Sequence, residues 1–192
     1  MLSVLNIESK ILGGLERLSE ALKALLWEKA KTFGISPIQI QILLFVSNHK
    51  REICNVSYLA KEFNVTKATI SDAVRILLKK EYLEKDYSPT DNRRYNLLMT
   101  SSGVELVHQL EGYADVFNKE LSSFGEQELA NVFNTLSKLI FQLNQKGIIQ
   151  VQRTCYNCKF YSGDKIENHY CNLLNSKLSA EEIQIDCDEF EE

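Results

Sequence analysis

Apolar residues in the first fifty positions recur at two densities, and the contrast predicts two kinds of helix. From Asn6 to Lys31 they stand at Ile7, Ile11, Leu12, Leu15, Leu18, Leu22, Leu25 and Leu26, steps of three and four that trace one stripe along a long amphipathic helix. Trp27 and Phe33 extend that stripe. It either packs on its own domain or serves a partner subunit. Ser36-Pro37 then offers an N-cap followed by proline at the first helical position. Ile38, Ile40, Ile42, Leu43, Leu44, Phe45 and Val46 make the next helix apolar nearly all round, so it is the buried one.

Shorter helical patterns follow. Asn55 can cap a helix holding Tyr58, Leu59, Ala60 and Phe63, and Asn64-Val65-Thr66 makes a tight turn whose last residue can cap the segment Lys67 to Leu78. On that segment Ile70, Val74, Leu77 and Leu78 form an inward face, leaving Lys67, Thr69, Ser71, Asp72 and Arg75 outward. A polar, turn-forming stretch from Ser88 to Arg94, flanked by Tyr82-Leu83 and Tyr95 to Met99, predicts a hairpin. Helix, turn, helix and hairpin make a winged helix-turn-helix, with its reading head over 55–103.

The polar choices suit nucleic acid. A helix entering the major groove by its N-terminal end offers short polar side chains to base edges, while its dipole favours phosphate. Lys67, Thr69 and Ser71 fit base or phosphate contacts, and Arg75 a phosphate or a guanine. Arg93 and Arg94 at the hairpin tip suit a narrow, electronegative minor groove. Asp91 can hold Arg93 in place through a carboxylate pair.

Downstream, Thr100-Ser101-Ser102 with Glu105 can cap a long helix running through Phe117, Leu121 and Phe124. A last helix, Glu126 to Lys146, carries Leu129, Val132, Phe133, Leu136, Leu139, Ile140, Phe141 and Leu143. That is more apolar surface than a lone helix on a small domain requires.

Asp91, Arg93, Met99-Thr100 and Gly103 resemble the wing signature of the MarR family of bacterial transcriptional regulators, with Met99 where the family usually has leucine. The resemblance runs from about Asn6 to Gly147. It implies a homodimer with interlocked terminal helices, each winged helix reading one half-site of a near-palindromic operator in double-stranded DNA. It also implies a small-molecule effector between dimerisation helices and winged domain. His49, Tyr82, His108 and Tyr113 are candidates to border such a cavity, but no residue identifies the effector and no pocket is assigned. The expected fold is therefore mainly α: a winged helix-turn-helix with long dimerisation helices and a small β-hairpin wing over 1–148, then a small metal-stabilised module over 149–192.

A net charge of −4 speaks against a nucleic-acid partner until its distribution is read. From Ile149 onward there are nine acidic and four basic residues. The acidity thus belongs to the tail, and Lys67, Arg75, Lys79, Lys80, Lys85, Arg93 and Arg94 remain as a local basic patch in the reading head. No run approaches the roughly 18 apolar residues of a membrane span, and Met1 to Asn6 lacks a basic region leading into an apolar block. A cytoplasmic protein without a membrane partner is expected.

Four of the five cysteines close the chain: Cys155-x-x-Cys158, twelve residues, Cys171, fifteen residues, Cys187. Clustered cysteines in a chain without a secretion signal point to metal before disulfides. Four thiolates make a closed, structural zinc site. A stretch this short with few large aliphatics needs such a cross-link to fold. Cys171 is a stronger fourth ligand than His169. The single C-x-x-C knuckle is also similar to small iron–sulfur modules that accompany some glycyl-radical enzymes, so an iron–sulfur cluster acting as a redox or iron sensor stays open beside zinc. Cys54 stands alone at the entry to the helix-turn-helix, as an inert small residue or as an oxidant switch.

The function expected is a dimeric, sequence-specific transcriptional regulator, acting as a repressor. An interaction adaptor that turns the winged domain and acidic tail towards protein is the competing class. Nothing supports an enzyme: the chain has no carboxylate pair, no nucleophile with its base and no phosphate-binding glycine loop.

Overall fold

The computed structural model describes residues 6–88, 91–165 and 168–191, and at Ser88, Asp91, Asn92 and Arg93 it describes the backbone alone. The chain forms two compact units, Met1–Asn48 with Ser71–Asn118, and His49–Ile70 with Lys119–Glu192. These units cut across the expected division after residue 148. The cysteine tail shares its unit with the first helix of the helix-turn-helix. Among the described residues no single helix is long and apolar enough to cross a membrane.

In the first unit, α1 (Ile7–Phe33) is capped by Asn6, whose side chain accepts from the Ser9 N–H. Its apolar stripe is largely uncovered: only Leu26 and Ala30 are buried, while Ile7, Ile11, Leu12, Leu18 and Trp27 are exposed. By contrast α2 (Pro37–Asn48) is the keystone of the core, with Ile40, Ile42 and Leu43 wholly inaccessible. Each such side chain contributes roughly 1.5–3 kcal/mol of burial. Leu83, Leu97, Leu106, Val107 and Leu110 complete this core.

Strands β1 (Leu83–Ser88) and β2 (Asp91–Met99) form an antiparallel hairpin in register from Leu83↔Met99 to Tyr87↔Tyr95, with a shift before Ser88↔Asp91. Pairing therefore reaches past the expected loop boundary. The cross-strand rings of Tyr87 and Tyr95, 5.8 Å apart, and Lys85 Nζ 4.3 Å from the Tyr95 ring brace that end.

The root of the hairpin explains the Thr100 and Gly103 spacing. Glu81 takes a left-handed turn, φ 59°, and its carbonyl accepts from Thr100 Oγ1 at 2.5 Å and Ser102 Oγ at 2.8 Å. Thr100 also caps α5 (Ser101–Leu110) by accepting from the Gly103 N–H. A Cβ at Gly103 would stand 2.1 Å from the Tyr82 carbonyl oxygen. The glycine lets the helix start touch the hairpin root.

The long helix expected from Thr100 through Phe124 is broken. Helix α5 ends at Leu110, and α6 (Asp115–Leu121) starts anew after Gly112, φ 75°. A Cβ at Gly112 would lie 2.4 Å from Asp115 Oδ2, so the left-handed residue and the adjacent carboxylate together define the break.

In the second unit, Asn55 caps α3 (Val56–Glu62) by accepting from the Tyr58 N–H. Here α7 (Glu126–Gln145) buries only Ser137 and leaves Val132 exposed and most other apolar positions half-covered. The tail is ordered: β3 (Tyr161–Gly163), β4 (His169–Cys171) and β5 (Ser176–Leu178) form an antiparallel sheet in sequence order. A capping box at Ser179 and Glu182 closes a single 3-10 turn. Tyr156 is the tail's anchor, packed edge-on against Phe141 of α7 at 5.6 Å and Tyr161 at 5.7 Å. Asn157 donates to Asn144 of α7 at 3.0 Å.

Replacing Gly103 by alanine forces a methyl group into the Tyr82 carbonyl. Gly103→Ala should lower unfolding stability by about 2–3 kcal/mol in denaturant titration, whereas Gly125→Ala, with no neighbour within 4 Å, should stay within about 0.5 kcal/mol.

Candidate nucleic-acid interface

Helix α4 (Lys67–Lys79) carries the predicted contacts. Thr66 initiates it, with Oγ1 3.2 Å from the Thr69 N–H and 2.9 Å from Thr69 Oγ1. Ile70, Ala73, Val74 and Leu77 are buried, and Lys67, Thr69, Ser71, Asp72 and Arg75 are exposed, as their spacing demands. Arg75 Nη2 rests 3.0 Å from Asp72 Oδ1 with both side chains largely in water. That pair contributes only a few tenths of a kcal/mol. Arg75 can therefore leave it for a phosphate or base at little cost.

Arg94 lies exposed on β2. The side chains of Asp91 and Arg93 lie outside the described residues, and with them the expected Asp91–Arg93 pair.

Residues 33–94, spanning α2, the helix-turn-helix and most of the hairpin, match the model of the MarR family. Over that segment the chain is similar to the MarR family. A MarR transcriptional regulator from Methanosarcina mazei Go1 superposes with a TM-score of 0.60 at 21% identity, over 72% of this chain and 98% of that one. MepR of S. aureus in its DNA-binding conformation superposes with a TM-score of 0.59 at 25% identity, over 67% and 95%. MepR in complex with DNA gives a TM-score of 0.57 at 23% identity, over 72% and 99%. No curated protein matches the chain. The solved structures are covered almost whole, and about a quarter of this chain has no counterpart in them.

Beyond the segment similar to the MarR family lies the cysteine cluster. Cys155, Cys158, Cys171 and Cys187 are free and half-buried. Cys155 and Cys158 bracket a 3-10 turn closed by the Cys158 N–H on the Cys155 carbonyl. The strand pairing sets Cys171 opposite Tyr161. Burial pushes the Cys155 thiol up, the Gln184 N–H 3.2 Å from its sulfur pulls it down, and Cys187, Cys158 and Cys171 each push it up again. Cys187 is raised by burial and, more weakly, by Cys158 and Cys171. Charge on the neighbouring sulfurs thus adds to burial in holding the Cys155 and Cys187 thiols up. Among the described residues no group of three or more His, Cys, Asp or Glu side chains is drawn together closely enough to hold a metal ion. The four side chains are soft sulfur donors, and the Cys155 sulfur accepts the Gln184 N–H. His169 is buried with Nδ1 2.6 Å from Tyr161 Oη, a partner that occupies one of its two ring nitrogens.

The group that sequence reasoning missed is the buried Arg153. Its guanidinium meets Asp186 through Nε and through Nη2 at 3.0 Å, and Glu62 of α3 at 2.8 and 3.3 Å. Nη1 donates to Tyr58 Oη at 2.9 Å, and His49 Nε2 lies 3.2 Å from Nη2 and 3.0 Å from Asp186 Oδ2. Burial works against the Arg153 charge, but the hydrogen bonds to Asp186, Glu62 and Tyr58 outweigh it and hold the charged form beyond its ordinary range. Asp186 is likewise opposed by burial, yet ends below the usual carboxylate range through Arg153 and His49. One signal was available: Arg153 is the only arginine in the acidic tail. His49, considered for an effector cavity, is engaged in this cluster.

Cys54 is the opposite of a switch. It is buried, its thiol points at the Lys50 carbonyl at 3.4 Å, and burial, assisted by Glu52, pushes its pKa up to about 11. Thiolate forms there only at strongly alkaline pH. Native Cys54 should therefore react with iodoacetamide at pH 8 on the order of a hundredfold more slowly than in the unfolded chain, read by peptide mass spectrometry.

Proposed function

We propose that this chain is a homodimeric, sequence-specific DNA-binding transcriptional regulator, acting as a repressor, whose C-terminal cysteines hold a structural metal ion. The observation that carries the DNA reading is the outward face of α4: Lys67, Thr69, Ser71 and Arg75 stand exposed on the helix of a segment similar to the MarR family, while its opposite face is buried. MepR, similar in fold, was solved in complex with DNA. The two reading heads of a dimer would engage half-sites about one helical turn apart.

The uncovered apolar residues of α1 and α7 support the dimer. On α1 alone Ile7, Ile11, Leu12, Leu18 and Trp27 are exposed, more than scattered single residues. A second copy of the chain removes them from water.

Zinc is the metal favoured for the tail, held by Cys155, Cys158, Cys171 and Cys187, where it supplies the cross-link that so small a core lacks. The single C-x-x-C knuckle supports an iron–sulfur cluster on the same four thiols as the second reading. Because Cys54 is buried, with burial raising its thiol, it belongs to neither site.

Selection of binding sequences from random duplex DNA should return a near-palindrome. Against it, Arg93→Ala and Arg94→Ala should each weaken binding about tenfold or more and reduce the slope of log affinity against log salt by about one. Parent-like affinity for both variants would remove the wing from the interface.

A further inference from the structure

Helix α3 and the turn that follows it are thinly anchored by packing. Of the seven residues of α3 only Leu59 and Ala60 are buried, and every residue from Asn64 to Thr69 is exposed, so the next buried side chain is Ile70. A helix this short does not hold itself together in water. Yet this stretch delivers Lys67 and Thr69 on the first turn of α4, capped by Thr66.

Within the same compact unit, which holds His49–Ile70 together with Lys119–Glu192, a second set of contacts reaches this stretch from segment 150–153. Gln150 Nε2 donates to Asn64 Oδ1 at 2.9 Å, at a turn residue whose φ of 51° is left-handed. Three residues on, buried Arg153 donates to Glu62 at 2.8 and 3.3 Å and to Tyr58 Oη at 2.9 Å, positions one helical turn apart on α3. Arg153 is itself fixed from behind. Asp186 accepts from its Nε and Nη2, the Cys187 N–H donates to its carbonyl at 3.0 Å, and Gln152 Nε2 donates to the Ile185 carbonyl at 2.8 Å. Segment 150–153 thus lies against α3 and its turn, backed by 184–187, and both pieces come from outside the matched residues 33–94.

We infer, on the DNA-reading function proposed above, that segment 150–153 is a strap that positions the first turn of the reading helix, with Gln150 and Arg153 as its positioning residues. The buried guanidinium cannot release Glu62 and Tyr58 without being left short of partners, so α3 is held at its middle and at its end. Gln150 holds the turn itself. Lys67 and Thr69 then start from one arrangement, and binding does not have to order them first. If the same contacts served only to seat the tail, DNA binding would be blind to them. Charge separates the two readings further: Glu62→Gln removes a negative charge close to the reading turn, which by electrostatics alone strengthens binding to DNA, whereas release of the strap weakens it.

The test uses the full chain in reducing buffer, with fluorescence anisotropy against the sequence selected from random duplex DNA and against a scrambled duplex. The double variant Tyr58→Phe, Glu62→Gln leaves Arg153 its Asp186 partner and touches no residue assigned to DNA. It should bind the selected sequence about tenfold more weakly than the parent and the scrambled duplex within about twofold of it. Adding Arg153→Met to the double variant should lower affinity no further than Arg153→Met does alone, because both break one link. Parent-like or tighter binding of the selected sequence by the double variant overturns the strap, and so do losses that simply add. Should circular dichroism show the double variant unfolded, Gln150→Ala decides: this exposed position should cost about threefold in affinity for the selected sequence, and parent-like affinity there overturns the strap. A parent that selects no sequence defeats the DNA-reading function and the strap with it, whereas a parent that selects one and is matched by its variants defeats the strap alone.

Discussion

A buried guanidinium is the constraint on which the second unit depends. Removing a charge from water costs several kcal/mol unless its hydrogen-bonding capacity is met, and Arg153 has little contact with solvent. Two carboxylates and a tyrosine hydroxyl meet that demand. Their origin matters more than their number. Asp186 comes from the tail and Glu62 and Tyr58 from α3, so the charge is tolerable only while these segments stay together. Loss of one partner from such a group typically costs 3–5 kcal/mol, because it strands a buried charge.

That dependence gives the tail a role that apolar packing alone would not. The module buries Tyr156 and Ile183 with Thr154 and His169, a small core for the chain it must order. The metal proposed for the four thiols would supply a cross-link that this core lacks. The first unit needs no such device, since α2 places Ile40, Ile42 and Leu43 at the centre of a conventional core. What it leaves open is α1, whose outer apolar stripe is what a second subunit would cover.

Local features were legible in the sequence because they act over three or four residues. Asn55 and Thr66 bond the N–H three residues on, Thr100 bonds Gly103, and Ser179 closes its box with Glu182. The buried face of α4 followed from period alone, and with it the exposure of Lys67, Thr69, Ser71 and Arg75. The break at Gly112 was not legible, since the apolar stripe continues across it from Leu106 to Phe124 and only the left-handed backbone beside Asp115 interrupts it. The Arg153 cluster was hidden for a different reason. Its partners lie 33, 91 and 95 residues away, and no periodic pattern encodes a contact of that span. Charge counting assigned the tail's acids to solvent, whereas Asp186 is turned onto Arg153.

Hydrogen exchange across the full chain tests the central claim, that α3 and the cysteine tail are one cooperative unit held by Arg153. In Arg153→Met, the amides of α3 around Leu59 to Glu62 should lose protection by the same factor as those of the paired segments 152–155 and 184–187, while the amides of α2 and α5 keep theirs. Loss of protection in the tail with parent-like protection in α3 would contradict it.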